Sequence, residues 1–223
     1  MIRPAVDLRL YAVLDPSRSR GRPLADLARA AAAGGATILQ LRMKQATTRD
    51  QVAAARAVRA ALAGTAVPFV VNDRADVALA GGAHGIHVGR EDLDPADARR
   101  LLGPDAIVGV TVHKDAEADD VDPAIADYAG IGPVFASGTK PDNDPPIGPD
   151  GLAALVARLQ RRLGAFPTCG ISGIDDANAA SVIAAGSDGV AVIGALFMAD
   201  DVAAAATQLR ATVDRALAAR ATR

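Results

Sequence analysis

Short apolar runs rich in valine and isoleucine recur along this chain, and polar residues follow most of them directly. Thr37-Ile38-Leu39 leads into Gln40-Leu41-Arg42-Met43-Lys44, and Phe69-Val70-Val71 into Asn72-Asp73-Arg74. Ile86-His87-Val88 leads into Gly89-Arg90-Glu91-Asp92, Ile107-Val108-Gly109-Val110 into Thr111, and Ile131-Gly132-Pro133-Val134-Phe135 into Ser137-Gly138-Thr139-Lys140. Runs of this kind, separated by alanine-rich helical stretches, predict parallel strands buried on both faces and alternating with helices. The C-terminal strand ends of such folds converge on one face, which carries the active site. Polar groups scattered along the chain are therefore expected to meet in space.

Eight strands are predicted, at 10–14, 37–41, 69–71, 85–88, 106–110, 128–134, 166–170 and 189–193. Helices are predicted at 24–33, 48–63, 75–80, 95–102, 116–121, 151–163, 176–185 and 201–219. Glycines after several helices (Gly34-Gly35, Gly81-Gly82, Gly186) suit left-handed C′ positions, and Asp94-Pro95 suits an N-cap followed by proline at N1. Eight β/α pairs within 223 residues predict one α/β domain, a TIM (β/α)8 barrel over 1–223, with no linker to divide it. The longest irregular stretch, 136–150, carries Pro141, Pro145, Pro146 and Pro149 and reads as an active-site lid.

Composition narrows the function. A net charge of −2 argues against a general nucleic-acid-binding surface but allows a compact anionic substrate. A single cysteine, Cys169, excludes an internal disulfide and a CxxC metal knuckle. Neither a transmembrane run nor a secretory segment is expected, so the predicted location is cytoplasmic and no membrane partner is expected.

Asp73 and Asp92 fall at the ends of adjacent strands, where two carboxylates could share a hard cation such as Mg²⁺; each could instead cap a helix or stand in solvent. Gln40, Arg42 and Lys44 alternate and share a direction if the strand runs that far, which suits a diphosphate, although lysine and arginine are also common in exposed loops. Ser137-Gly138-Thr139-Lys140 could cradle an anion without being a Walker A sequence, or form a polar turn before proline. Gly173 and the Ile193-Gly194 pair end the last two strands, where TIM barrels often hold phosphate on backbone N–H groups; close packing is the alternative. His84, His87 and His113 read as structural, with His113 the one placed near the catalytic rim.

Taken in order, these segments resemble the thiamine-phosphate synthase (thiamine-phosphate pyrophosphorylase) family, from Leu10-Tyr11-Ala12-Val13-Leu14-Asp15-Pro16 to Ala185-Gly186-Ser187-Asp188-Gly189-Val190-Ala191. The resemblance implies a transferase joining 4-amino-2-methyl-5-pyrimidinylmethyl diphosphate to thiazole phosphate, with release of diphosphate. Gln40, Leu41, Arg42, Met43, Lys44, Asn72, Thr111 and Lys140 would hold the pyrimidine diphosphate, with Arg42, Lys44, Thr111 and Lys140 catalytic. Asp73 and Asp92 would hold Mg²⁺, and Ser137, Gly138, Thr139, Gly173, Ile193 and Gly194 the thiazole phosphate. Both partners would be small molecules, and exposed alanine-rich helices leave room for a homo-oligomer. The chain departs from the family pattern at Met43 (an acid there), Ser137 (threonine), Ser172 (glycine), Gly194 (serine) and Thr111 (serine). A thiazole tautomerase-like enzyme is the main alternative; that branch carries histidine at the position of Pro133 and loses much of the diphosphate set. A non-catalytic paralogue that binds thiamine intermediates is the other.

Overall fold

A computed structural model describes residues 6–137 and 145–222. Eight parallel strands close into a barrel in sequence order: β1 (Leu10–Leu14), β2 (Ile38–Leu41), β3 (Phe69–Asn72), β4 (Gly85–Val88), β5 (Ile107–Val112), β6 (Tyr128–Ile131), β7 (Thr168–Ile171) and β8 (Gly189–Val192). β8 returns to β1, with Leu10 opposite Val190. The helices are α1 (Leu24–Ala33), α2 (Thr48–Ala61), α3 (Ala75–Gly81), α4 (Pro95–Leu102), α5 (Asp115–Asp120), α6 (Gly148–Leu163), α7 (Ala179–Ala184), α8 (Gly194–Phe197) and α9 (Val202–Ala221). The predicted TIM barrel is therefore the fold observed. Among the described residues no helix is long and apolar enough to cross a membrane.

Strand alternation sorts the side chains into two apolar clusters. Outward residues such as Leu10, Ala12, Leu14, Leu39, Leu41, Phe69 and Val71 pack against the helices. Inward residues, among them Tyr11, Val13, Ile38, Val70, Tyr128 and Cys169, fill the barrel. Because aromatics are scarce, small aliphatics make most of both layers, and Tyr11, Tyr128, Phe69 and Phe197 are the aromatic rings among the largest fully buried side chains.

Local signals explain most boundaries. Asp94 Oδ1 accepts from Ala96 N at 2.8 Å with Pro95 in the first turn of α4, as predicted, and Asp201 Oδ1 accepts from Ala204 N at 2.9 Å to open α9. Gly82 closes α3 in the left-handed region at φ 69°. Differences from the predicted elements fall where no periodicity exists to read. β5 runs on to Val112, so Thr111 sits in the strand rather than after it. β6 stops at Ile131, before Pro133 with its missing N–H, although Val134 N and Phe135 N still donate to Ile171 O and Ser172 O at 2.9 and 3.2 Å. The 3-10 turn Pro16–Arg18 and the four-residue α8 have no counterpart in the predicted elements. α6 begins at Gly148, inside the stretch read as a lid, and residues 138–144 of that stretch lie outside the described residues.

The N-terminal face of the barrel is held by a buried arginine. Arg99 of α4 pairs with Asp127 at 2.7 Å, donates to Ile125 O at 2.7 Å and also reaches the Ala106 carbonyl, so one guanidinium ties α4 to the entries of β5 and β6. Asp127 in turn accepts from Val108 N at 2.7 Å. Removing one partner of such a pair leaves the other charge buried. Arg99→Ala is therefore expected to lower unfolding free energy by about 3 kcal/mol. Equilibrium urea denaturation checks this, and an unchanged midpoint would contradict it.

Candidate active site

Parity decides which predicted residues reach the barrel mouth. Gln40 points inward with Ile38 and reaches Tyr11 Oη, whereas the strand ends at Leu41 and Lys44 stands in the turn beyond it. Leu41, by contrast, belongs to the outer core, and Met43 packs against it. Only the backbone of these two can serve a ligand at the mouth, which also explains why an apolar residue is tolerated at position 43.

Arg42 forms an ion pair with Asp15, both side chains largely buried, and Arg42 N extends the ladder to Leu14 O at 2.9 Å. Asp15 is itself fixed by accepting from Ser17 N at 2.9 Å and Ser17 Oγ at 2.7 Å. The guanidinium is thus oriented before any ligand arrives. The role of Asp15 was not legible in sequence, because its partner stands one β/α unit further along. Lys44 Nζ lies 3.4 Å from Asp73 Oδ2.

Neither carboxylate is a helix cap. α3 starts from Arg74 with no side-chain cap, and Asp73 takes a left-handed φ of 65°, which aims it back at the mouth while its N–H donates to His87 O at 2.9 Å. Asp92 Oδ2 accepts from Gly89 N at 2.8 Å and so stands over the end of β4. The Asp92 carboxyl is close enough to act on the Asp73 proton. Burial, then the adjacent Asp92, push Asp73 up to about 6, against the opposing pull of Lys44. Among the described residues no group of three or more histidine, cysteine or acidic side chains could hold a metal ion. A pair of carboxylates with shared excess negative charge does fit Mg²⁺, which typically takes one or two of them and completes its shell with water and phosphate oxygens.

Beneath this rim a file of hydrogen bonds crosses the barrel. Gln40 Nε2 donates to Tyr11 Oη at 2.5 Å, and Tyr11 and Tyr128 Oη are 2.6 Å apart. Tyr128 Oη meets His87 Nδ1 at 3.0 Å, and His87 Nε2 meets Thr111 Oγ1 at 2.8 Å. His87 is thus the histidine that touches a predicted site residue. His113 pairs instead with Glu117, at 3.1 Å, and His84 Nδ1 accepts from Phe69 N at 2.8 Å. Asn72, in register with His87, ends β3 at the same level. Cys169 lies buried inside the barrel, where burial pushes its thiol up and keeps it inert.

The far side of the mouth is built from the loops after β6, β7 and β8. Gly173 (φ 67°) is required by packing: a Cβ there would stand 2.6 Å from Ala136 O and 2.7 Å from Phe135 Cβ. Ser172 is also left-handed, at φ 76°, with Oγ 3.3 Å from Phe135 O. Gly194 differs, since a Cβ there would meet nothing nearer than Met198 Cγ at 3.9 Å. Open space above the first turn of α8, next to Ile193, suits a ligand's approach to backbone N–H groups. Arg22 holds the other end of α8, donating to Phe197 O at 2.5 Å and Ala199 O at 2.9 Å. Ser137 is partly buried at the margin of this side, whereas Gly138, Thr139 and Lys140 lie outside the described residues.

A family described as thiamine monophosphate synthase matches residues 10–196. The thiamine-phosphate synthase of Agrobacterium fabrum is 48% identical over 96% of this chain and 98% of its own, and that of Chloroflexus aurantiacus 49% over 93% and 94%. The solved thiamine phosphate pyrophosphorylase from Pyrococcus furiosus is 35% identical, with a TM-score of 0.82 over 95% of this chain and 98% of that one. Tryptophan synthase of Mycobacterium tuberculosis, at 18% identity and a TM-score of 0.67 over 93% of both chains, shares the fold alone.

The carboxylate pair carries a signed pH dependence. The folded protein keeps the Asp73 proton up to about pH 6, whereas the unfolded chain releases it near 3.8. Its contribution to stability is therefore greatest at low pH, declines as pH rises between those values and is level above them. Asp73→Asn is expected to remove that decline, so the variant gains on the parent chain as pH rises from 4 to 7. Added Mg²⁺ should raise the melting temperature of the parent at pH 8 and leave the variant unmoved. Denaturation curves that run parallel across this range would contradict the assignment.

Proposed function

Because this chain belongs to the thiamine monophosphate synthase family and is a transferase, we propose that it joins 4-amino-2-methyl-5-pyrimidinylmethyl diphosphate to thiazole phosphate, giving thiamine phosphate and diphosphate. The observation that carries this reading is the juxtaposition of Asp73, Asp92 and Lys44 beside an Arg42 already oriented by Asp15. One rim thus holds a carboxylate pair and two cations, the donor set that a magnesium diphosphate requires.

Asp73 and Asp92 would hold the metal, which when bound would supply positive charge beside the departing diphosphate. Arg42 and Lys44 would donate charge-assisted hydrogen bonds to the diphosphate oxygens, with Lys140 joining them. The bond between the pyrimidine methylene carbon and the bridging oxygen would break with its electron pair leaving on diphosphate. The thiazole nitrogen lone pair would then form the new bond to that carbon. Cationic donors are aimed at the oxygens where negative charge grows, and so lower the barrier more than they tighten ground-state binding. Gln40, Asn72 and Thr111 would hold the pyrimidine. Ser137, Gly138, Thr139, Gly173, Ile193 and Gly194 would receive the thiazole phosphate, the open backbone at Gly194 being the clearest support for that side.

A coupling assay with both substrates tests this reading, following thiamine phosphate and released diphosphate with and without Mg²⁺. Metal-dependent product is expected. Asp92→Ala should abolish it while the circular dichroism spectrum and melting transition stay those of a folded barrel. Substantial turnover without that carboxylate would remove the metal assignment. No product from the folded, unaltered protein would turn the reading towards a non-catalytic paralogue.

A further inference from the structure

The file of bonds under the mouth has a direction, set by counting protons. Each link needs one proton. Gln40 Nε2 can only donate, so Tyr11 Oη accepts at that link and its own proton must serve the link to Tyr128. The Tyr128 proton is then committed to His87 Nδ1. An imidazole whose Nδ1 accepts is neutral and carries its proton on Nε2, which donates to Thr111 Oγ1. Reversing the Tyr11–Tyr128 link would leave Tyr11 and Gln40 both presenting protons to each other. Burial makes such a mismatch costly: Gln40, Tyr11, Tyr128 and His87 are 4%, 1%, 0% and 8% exposed. It also pushes both phenols up, so each keeps the one proton that the count assigns to it.

The barrel is shaped for this file. A Cβ on Gly109 would overlap the Tyr128 ring, and one on Gly130 would stand 3.3 Å from His87 Cε1. Tyr11 packs edge-on to Tyr128 at 5.7 Å between ring centres, and His87 stacks on Tyr128 at 5.5 Å. The two rings flanking His87 hold its plane, and its two nitrogens hold its tautomer.

We propose that His87 is a positioning residue, fixed as the neutral Nε2–H tautomer by this one-way file, which makes Thr111 Oγ1 an acceptor towards the barrel and so turns the threonine hydroxyl proton towards an acceptor atom of the ligand. At the opposite end Gln40 gives one of its two Nε2 protons to Tyr11, and this orientation of the amide presents Oε1 as an acceptor for a ligand donor. The ligand that fits is a heterocycle with a hydrogen-bond acceptor towards β5 and a donor towards β2. An aminopyrimidine can offer both, and in naming that ring the inference rests on the function proposed above.

Nitrogen-15 NMR of the unliganded protein labelled at histidine tests the file without any substrate, with His87→Gln identifying the His87 signals. The neutral Nε2–H pattern is expected in the unaltered chain, and an Nδ1–H or imidazolium pattern would overturn the proposal. Tyr128→Phe removes the donor to Nδ1 and should give a mixture of tautomers. It should also lower kcat/KM for the pyrimidine diphosphate by about tenfold, one hydrogen bond's worth, while KM for thiazole phosphate stays unchanged. Thr111→Ser should keep the activity that Thr111→Val loses. An unaltered tautomer in Tyr128→Phe, or equal activity of the serine and valine variants, would overturn the role. Should Tyr128→Phe fail to fold, the spectrum of the unaltered chain still decides. Absence of turnover together with the Nε2–H pattern would sink the synthase reading and uphold the file.

Discussion

Every strand of this barrel is buried on both faces, and that constraint governs the rest of the molecule. No strand has a solvent side, so each residue must either pack outward on a helix or fit a shared interior of fixed width. The outer layer tolerates any aliphatic side chain of suitable volume, and alanine, valine and leucine supply most of it. The interior is less forgiving, because inward side chains from all eight strands compete for one column of space. Two tyrosines, a histidine and a glutamine share that column, and glycines on β5 and β6 make room for them. Polar groups so placed must satisfy one another, and among the described residues no buried side-chain nitrogen or oxygen lacks a partner.

Electrostatics at the rim follows from the same geometry. Parallel strands all end on one face, so residues far apart in sequence arrive together: Asp15 with Arg42, Lys44 with Asp73, Asp73 with Asp92. Arg42 is neutralised and held by its acid, whereas the two carboxylates stand against each other and are left with excess charge. A rim that holds its arginine and sets two carboxylates against each other suits the anion and cation of the proposed reaction. The alternation of oriented cation and unrelieved acid distinguishes it from a row of solvated surface charges, which would show neither burial nor a raised Asp73.

Most of the fold was legible because strand and helix periods are local properties. Runs such as Phe69-Val70-Val71 and Gly85-Ile86-His87-Val88 mark their strands within a residue, and Asp94-Pro95 marks the start of α4. The position of Asp73 and Asp92 at adjacent strand ends was legible for the same reason. Other features were not. Asp15 acts on a residue 27 positions away, and His87 on a tyrosine 41 positions away, so no window of sequence contains either pair. The α8 turn, Gly194-Ala195-Leu196-Phe197, is too short to carry a period. Leu41 and Met43, named as site residues by family resemblance alone, send their side chains to the outer core, which only the packing of the folded chain reveals.

Closure in sequence order also has a kinetic meaning. β1 is flanked by β2 and by β8, and Leu10 meets Val190 only across nearly the whole chain. During synthesis the first seven strands can assemble as an open, curling sheet, but one side of β1 stays unpaired until the last β/α unit has been made. The seam is the most non-local strand pairing in the barrel and hence the last entropic cost of closing it. A truncation before β8 would return the barrel to that open form, with two bare edges able to pair with another chain.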